Sequence, residues 1–219
     1  MPFTYAVGDI HGSLDKLTDL IAACRRHAAD RGMMLVFLGD FIDRGPDSAG
    51  VVRFVLDLQT QNPERVIALT GNHEAWVLGV VDGAMSASTW LLNGGAATLS
   101  SYGVRRAGDL PHTHLDWMRS LRLSYDDGRR LFVHAGVNPH QPLDAQDEKD
   151  LLWIREPFLH DTRDYGRLIV HGHTPLESRA PDLRPNRLNL DTAAVFGGPL
   201  TAAVFDDSQT EPVAFLQAG

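Results

Sequence analysis

The chain of 219 residues contains a single cysteine, Cys24, so no disulfide can form within it. That suits a reducing compartment, and the cytoplasm is the expected location. Cys24 falls in the apolar helical stretch Leu20-Ile21-Ala22-Ala23-Cys24 and reads as a core thiol, not as a nucleophile. The N-terminus lacks a basic segment followed by an apolar one, so no leader is expected. Gly83 to Val104 carries no charge, but it is full of Gly, Ser, Thr and Asn and does not read as a membrane span. Basic residues are outnumbered, with 20 Lys and Arg against 28 Asp and Glu and a net charge of −8. A broad nucleic-acid-binding face would need the opposite balance. An anionic substrate is still compatible, because bound dications and a few arginines can make a local positive pocket on an acidic protein. No repeat, low-complexity segment or linker divides the sequence, so one domain over residues 1–219 is expected. Its hydrophobic content of 43% suits a substantial core.

Short apolar runs alternate with helical periodicity in the first third. Phe3 to Val7, Met33 to Leu38 and Arg65 to Leu69 read as strands. Helices follow the first two, with Leu14, Leu17, Leu20, Ile21 and Cys24 on one apolar face and Val51, Val52, Val55, Leu56 and Leu58 on the other. This repetition predicts parallel strands, with loops clustered at their C-terminal edge. Glu74 to Ser120 reads as helical and irregular. Asp126-Asp127-Gly128 between two strand-like runs signals a hairpin. Gln146 to His160 is expected to be helical. Further strands are expected at Arg167–Val170, Arg187–Leu190, Leu200–Phe205 and Pro212–Leu216, giving a second half more antiparallel than the first.

Five glycine-punctuated clusters of polar residues follow the ends of these runs. They are Gly8-Asp9-Ile10-His11-Gly12, Gly39-Asp40-Phe41-Ile42-Asp43-Arg44-Gly45, Gly71-Asn72-His73-Glu74, His134-Ala135-Gly136 and His171-Gly172-His173-Thr174. Asp, Asn and His are the nitrogen and oxygen ligands that divalent metals take, and glycine lets the backbone turn sharply to aim them. Asp9 and His11 are two apart, so both can face one ion. Asp40 occupies the matching place after the second strand, and a carboxylate can bridge two cations. Spacing alone leaves His171 and His173 as alternatives. A ligand set without thiolate suits two divalent ions, manganese first, with iron or zinc as alternatives.

The order and wording of the five clusters resemble the metal-dependent phosphoprotein phosphatases, within the calcineurin-like metallophosphoesterases, and most of all their short bacterial and phage members. The likeness runs from about Tyr5 to about Ala203, and Gly-Asp-x-x-Asp-Arg-Gly is its most specific string. The resemblance implies a four-layer α/β/β/α sandwich of the calcineurin-like metallophosphoesterase fold. It also implies hydrolysis of a phosphomonoester by a metal-bridging hydroxide. One metal would take Asp9, His11 and Asp40. The other would take Asp40, Asn72, His134 and, by the match of Gly172-His173-Thr174-Pro175, His173. His73 would donate a proton to the leaving oxygen, held by Asp43, and Arg44 would grip phosphate oxygens. Leu151-Leu152-Trp153-Ile154-Arg155 resembles a bacterial Leu-Trp-x-Arg segment, which makes Arg155 the second phosphate-binding arginine. Glu74 would support the ligand shell.

The expected substrate is a phosphorylated serine or threonine side chain or a small phosphomonoester. Symmetrical dinucleoside tetraphosphate hydrolases share the scaffold and the Leu190-Asp191-Thr192 wording, but typically lack the second Asp of Gly-Asp-x-x-Asp-Arg-Gly and read Gly-Asn-His-Asp. Asp43 and Glu74 favour the protein-phosphatase side. A non-catalytic binding module on the same scaffold would not need the full set of ligands and proton donor. Neither nucleic acid nor membrane is an expected partner, and no oligomeric state is read from the sequence. Gly83 to Leu110 and Asn138 to Asp147 are the segments expected to select the substrate. The histidines outside the motifs, including His112 and His114, are expected at the surface, and the four tryptophans in packing roles. Ala193 stands where these bacterial proteins often have Gly, and would be strained if that position needs positive φ.

Overall fold

The first strand, β1 (Phe3–Val7), shows how the layers arise. Successive side chains of a strand point to opposite faces. Tyr5 and Val7 therefore join the core beneath the helices, while Ala6 faces a second sheet. The same division holds in β2 (Met33–Phe37), where Leu35 and Phe37 point to the helices and Val36 points inward. The computed structural model describes residues 2–219.

Helices α1 (Leu14–Ala28) and α2 (Ser48–Gln61) connect β1 to β2 and β2 to β3 (Val66–Ala68). Crossovers of this length allow parallel pairing, and the register runs Tyr5↔Leu35 and Val36↔Ile67. The N-terminus of α2 is closed by Asp47, whose carboxylate accepts from the Gly50 amide at 2.8 Å. Two C-terminal strands, β9 (Leu200–Phe205) and β10 (Ala214–Ala218), add antiparallel to the other edge. The sheet order is β10-β9-β1-β2-β3.

The second sheet contains β4 (Ser124–Asp126), β5 (Arg130–Val133), β6 (Leu168–His171), β7 (Asp182–Leu183) and β8 (Arg187–Asn189), in the order β4-β5-β6-β8-β7. Its three central strands are parallel and only its edge strands are antiparallel. With β9 and β10 also pairing antiparallel, the second half is more antiparallel than the first, as expected, although the centre of this sheet is parallel. Phe132, Val170 and Leu188 pack inward against Val36, Leu38 and Ile67. Leu131, Val133 and Ile169 pack outward beneath Leu151, Ile154 and Phe158. The four layers are helices, sheet, sheet, and a thin outer cover containing α7 (Glu148–Trp153).

The helix expected over Gln146–His160 is shorter than its pattern suggested. It ends at Trp153, because Pro157 lacks an N–H and disfavours helical backbone at Glu156. His112 and His114 open the helix His112–Ser120 directly after Pro111, and do not lie in a loop. The intervening helical segment includes α3 (Asn72–Val81), α4 (Ala87–Trp90) and α5 (Ala96–Tyr102). Among the described residues no helix is long and apolar enough to cross a membrane.

Candidate dimetal site

All six parallel strands point their C-terminal ends at one place. Asp9 follows β1, Asp40 follows β2, Asn72 opens α3 after β3, His134 follows β5, and His173 follows β6. Asp191 follows β8. Asp40 lies at the centre, buried, with its two carboxylate oxygens facing different ways. Oδ2 is 3.3 Å from His11 Nε2, and Oδ1 is 3.5 Å from His134 Nε2. Asp40 belongs to both groups whose ligand atoms lie within 4.8 Å of one another, Asp9/Asp40/His134 and His11/Asp40/His73.

Hydrogen bonds fix which histidine nitrogens offer a lone pair. Nδ1 of His11 donates to the Ile42 carbonyl at 2.7 Å, and Nδ1 of His134 donates to the Leu38 carbonyl at 2.8 Å. Both Nε2 atoms are then acceptors, as metal ligands held by carbonyls are. His134 Nε2 lies 2.9 Å from Asn72 Oδ1, which in turn lies 3.0 Å from His173 Nδ1. His134 Nε2 and Asn72 Oδ1 are therefore two acceptors in contact with no proton to share, an arrangement that a cation resolves. Arg44 Nη1 is already 2.5 Å from the His11 Nε2 lone pair. This donor set fits divalent ions.

The charges agree. Burial lowers His134, and it lowers His173 to about 3 with help from His134, which keeps both imidazoles in the neutral, metal-binding form. Burial and the neighbouring Asp191 and Asp40 raise Asp9 well above the usual carboxylate range. Burial alone would raise Asp40 too, but His134, His73 and His11 outweigh it and hold it well below that range. Asp191, buried and hydrogen-bonded with Asp9, is likewise raised by burial. In the sequence its only signal is its place just after the strand-like run Arg187–Leu190, which the fold makes the end of β8.

His73 sits beside this cluster with its ring turned edgewise to His11, the centroids 4.7 Å apart. Its Nδ1 is bonded to Asp43 Oδ2 at 2.6 Å, and its Nε2 points back toward Asp40 at 4.0 Å. Asp43 is fully buried and fully partnered. Trp90 Nε1 donates to Oδ2 at 2.8 Å, and Thr98 Oγ1 donates to Oδ1 at 2.6 Å. The uncharged segment 83–104 is therefore a brace for Asp43. Its Asn93-Gly94-Gly95 turn continues the brace, since Gly94 accepts from the Arg44 amide at 3.1 Å. Gly94 has φ +114, and a Cβ there would meet Arg44 Cγ at 2.6 Å. Trp90 and Thr98 had not been singled out as site residues.

Glu74 reaches back from the first turn of α3. Its carboxylate accepts from the amides of Asp40, Phe41, Ile42 and Gly71 at 2.8, 2.9, 3.2 and 2.9 Å. Burial and the Asp40 charge push it up to about 8, against these four donors. It touches the loop that aims Asp40 and supports that loop from behind.

A cavity of about 380 Å³ opens over the cluster, lined by Asp40, Arg44, Asn72, His73, Arg155 and His173 together with Trp76, Trp153, Asn93 and Phe196. Asp9, His11, His134 and Asp43 lie buried beneath it. Glu156 pairs with His160 and Asp150 accepts from Asn138, so these two neighbouring carboxylates are engaged away from Arg155. His171 turns away and packs edgewise on Phe158 at 5.0 Å. Asn93 brings the 83–110 segment to the cavity. Residues 138–147 contribute no lining side chain, because Gln146 ties that loop to its own carbonyls at Asn138, Gln141 and Pro142. Phe196 and Trp153 stand at the rim in its place. Ala193, which leads into Phe196, has φ 60 and ψ 44, the left-handed conformation anticipated for a glycine.

These residues and this fold match known proteins. The sequence profile of the calcineurin-like phosphoesterases matches residues 4–201, and the chain belongs to that family of metal-dependent hydrolases, which use a dimetal centre. It is 32% identical over 207 residues to a Salmonella typhimurium strain LT2 protein named serine/threonine-protein phosphatase 1, covering 91% of this chain and 90% of that one. It is also 32% identical over 273 aligned positions to a symmetrical bis(5'-nucleosyl)-tetraphosphatase of Janthinobacterium sp. strain Marseille, covering 94% of each. Among solved structures, one provisionally described as a diadenosine tetraphosphatase is similar with a TM-score of 0.74 and 25% identity, over 100% of this chain and 94% of that one.

Proposed function

We propose that this metallophosphoesterase is a phosphomonoesterase acting on phosphorylated serine or threonine side chains, or on small phosphomonoesters, in the cytoplasm. The observation that carries the reading is the His73–Asp43 pair, 2.6 Å long and buried, at the edge of a ligand cluster flanked by two arginines. In this reading Asp9, His11 and Asp40 hold one ion, and Asp40, Asn72, His134 and His173 hold the other, with manganese the first choice. Two divalent ions held there would neutralise the carboxylates and supply Lewis acidity for polarising the phosphoryl group and acidifying water. Arg44 and Arg155 bind phosphate oxygens through charge-assisted hydrogen bonds and orient the ester. Asp43 holds the His73 ring through Nδ1, so Nε2 faces the departing oxygen and can pass it a proton.

A second reading, hydrolysis of symmetrical dinucleoside tetraphosphates, is favoured by the Janthinobacterium relative. The two are separated by a panel of phosphoserine, phosphothreonine and phosphotyrosine peptides, dinucleoside tetraphosphates and aryl phosphates, each with manganese, zinc, magnesium or chelator. A kcat/KM for dinucleoside tetraphosphate far above that for every peptide would replace the first reading with the second.

A further inference from the structure

The strap His173–Leu176 is the wall between two cavities. His173 and Pro175 face the cavity over the ligand cluster. Thr174 and Leu176 face a larger one, of about 520 Å³, on the far side. No role so far described uses this second cavity.

Its polar lining is incomplete. Arg187 is only 6% exposed and lines the cavity, yet its Nη1 has no partner. Its Nη2 is engaged, donating to the Leu159 carbonyl at 3.1 Å and to Asp182 Oδ2 at 3.0 Å. The Thr174 hydroxyl, also in the lining, is buried and unpartnered as well. A buried guanidinium nitrogen without an acceptor is costly, and native proteins provide one. The acids of the lining are already engaged. Arg184 pairs with Asp182 Oδ1 at 2.8 Å, so two guanidinium groups share one carboxylate. The other acid in the lining, Asp161, is taken by Arg163 at 2.9 Å. No carboxylate of the lining is left for Arg187 Nη1. Leu159, Leu176 and Pro185 supply apolar walls beside it.

We propose that this cavity is a binding site for a small organic monocarboxylate, its oxygens on Arg187 Nη1 and the Thr174 hydroxyl and its apolar body against Leu159, Leu176 and Pro185. A monocarboxylate supplies acceptor oxygens for both unpartnered groups, whereas a phosphomonoester carries about −1.5 to −2 at neutral pH, too much for a lining of two arginines and two aspartates. The site stands independently of the reaction assigned to the neighbouring cavity.

The test is calorimetric titration of benzoate into the metal-loaded full chain. One saturable site is expected. Thr174→Val should weaken it about tenfold or more, the loss of one hydrogen bond to a charged group. Leu176→Trp, which fills the cavity from the strap, and Arg187→Met should abolish it. Because Arg187→Met also removes two structural hydrogen bonds, Leu176→Trp and Thr174→Val carry the test if that variant fails to fold. Absence of saturable binding would overturn the proposal. So would undiminished binding to Leu176→Trp and Thr174→Val, or displacement of benzoate by inorganic phosphate, which would move the ligand to the cavity over the metal ligands.

Discussion

His73 is 1% exposed and anchored on one nitrogen only, which leaves the other free to face the cavity. His73→Asn should therefore keep both metals and lose turnover. General acid catalysis contributes about 10²–10⁴-fold, and kcat should fall in that range for alkyl phosphates. The fall should be smaller for aryl phosphates, whose leaving groups need little protonation. Plotting kcat against leaving-group pKa for both proteins, with metal analysis alongside, checks this; an equal loss for all leaving groups would remove His73 from that role. Arg155→Ala should lower kcat/KM about tenfold to a hundredfold with metal content unchanged, since it forfeits charge-assisted bonds to the phosphate. Wild-type kinetics in that variant would place the second arginine elsewhere. Site residues also hold unusual backbone. His11, Asp40, Asp43, Arg44 and His173 all have positive φ, between 46° and 72°. Such conformations cost non-glycine residues about 1–3 kcal/mol each and persist where surrounding structure enforces them.

Among the elements, the first turn of α3 does the most enforcing. Glu74 ties its own helix N-terminus to the Asp40–Ile42 loop through four amides. Glu74→Gln replaces one acceptor oxygen by a donor NH₂ that must face N–H groups. A loss of about 1–3 kcal/mol is expected for the unsatisfied donors. That corresponds to a fall in Tm of about 2–4 °C per kcal/mol for a chain of this size. Thermal melts should show it, and titration of manganese into the apo variant should show weaker binding, because Asp40 loses its support. Unchanged melting and metal affinity would mean that the loop holds its shape without the carboxylate. Much of this element scale was legible beforehand: β1 and β9 have the expected limits, and the Asp126-Asp127-Gly128 hairpin forms. The two-residue β7 was missed, being too short to carry a periodicity.

Across the whole molecule, the two sheets converge on a set of buried acids that only cations can comfortably neutralise. Glu74 is raised from 4.5 to about 8, and Asp9 and Asp191 are raised as well. Without metal, the folded state keeps protons on these groups that the unfolded chain releases. For these acids the folded state binds more protons, while His134, His171 and His173, lowered by burial, bind fewer than in the unfolded chain up to about pH 6.5 and oppose them there; above that pH the acids act alone, and stability falls as pH rises toward about 8, by up to about 1.4 kcal/mol per pH unit for each acid still protonated. Asp40, held low, acts in the opposite sense and below that window. Chelated protein should therefore melt at lower temperature at pH 8 than at pH 6.5, while manganese-loaded protein should lose this slope. Differential scanning calorimetry of both forms across that range checks it; parallel slopes would show that the acids are not coupled to metal.

The sequence by itself determined which residues stand at the strand ends and which side chains form the layers, because both depend on local alternation and on glycine turns. It also carried the likeness of the five clusters to the calcineurin-like family. Spacing left His171 and His173 as alternatives, and the match of Gly172-His173-Thr174-Pro175 to the family pointed to His173; how far apart the two rings lie is a matter of the fold. His171 ends β6 and packs in the outer core against Phe158, while His173, two residues on, turns at φ 67 toward Asn72. Trp90 and Thr98 lie 47 and 55 residues from the Asp43 they hold, and no periodicity spans that distance. The contact of Asn72 with His134 and His173 joins positions 62 and 101 residues apart. Such meetings are settled only when the two sheets close on one another, since the chain between them has no local preference for that geometry.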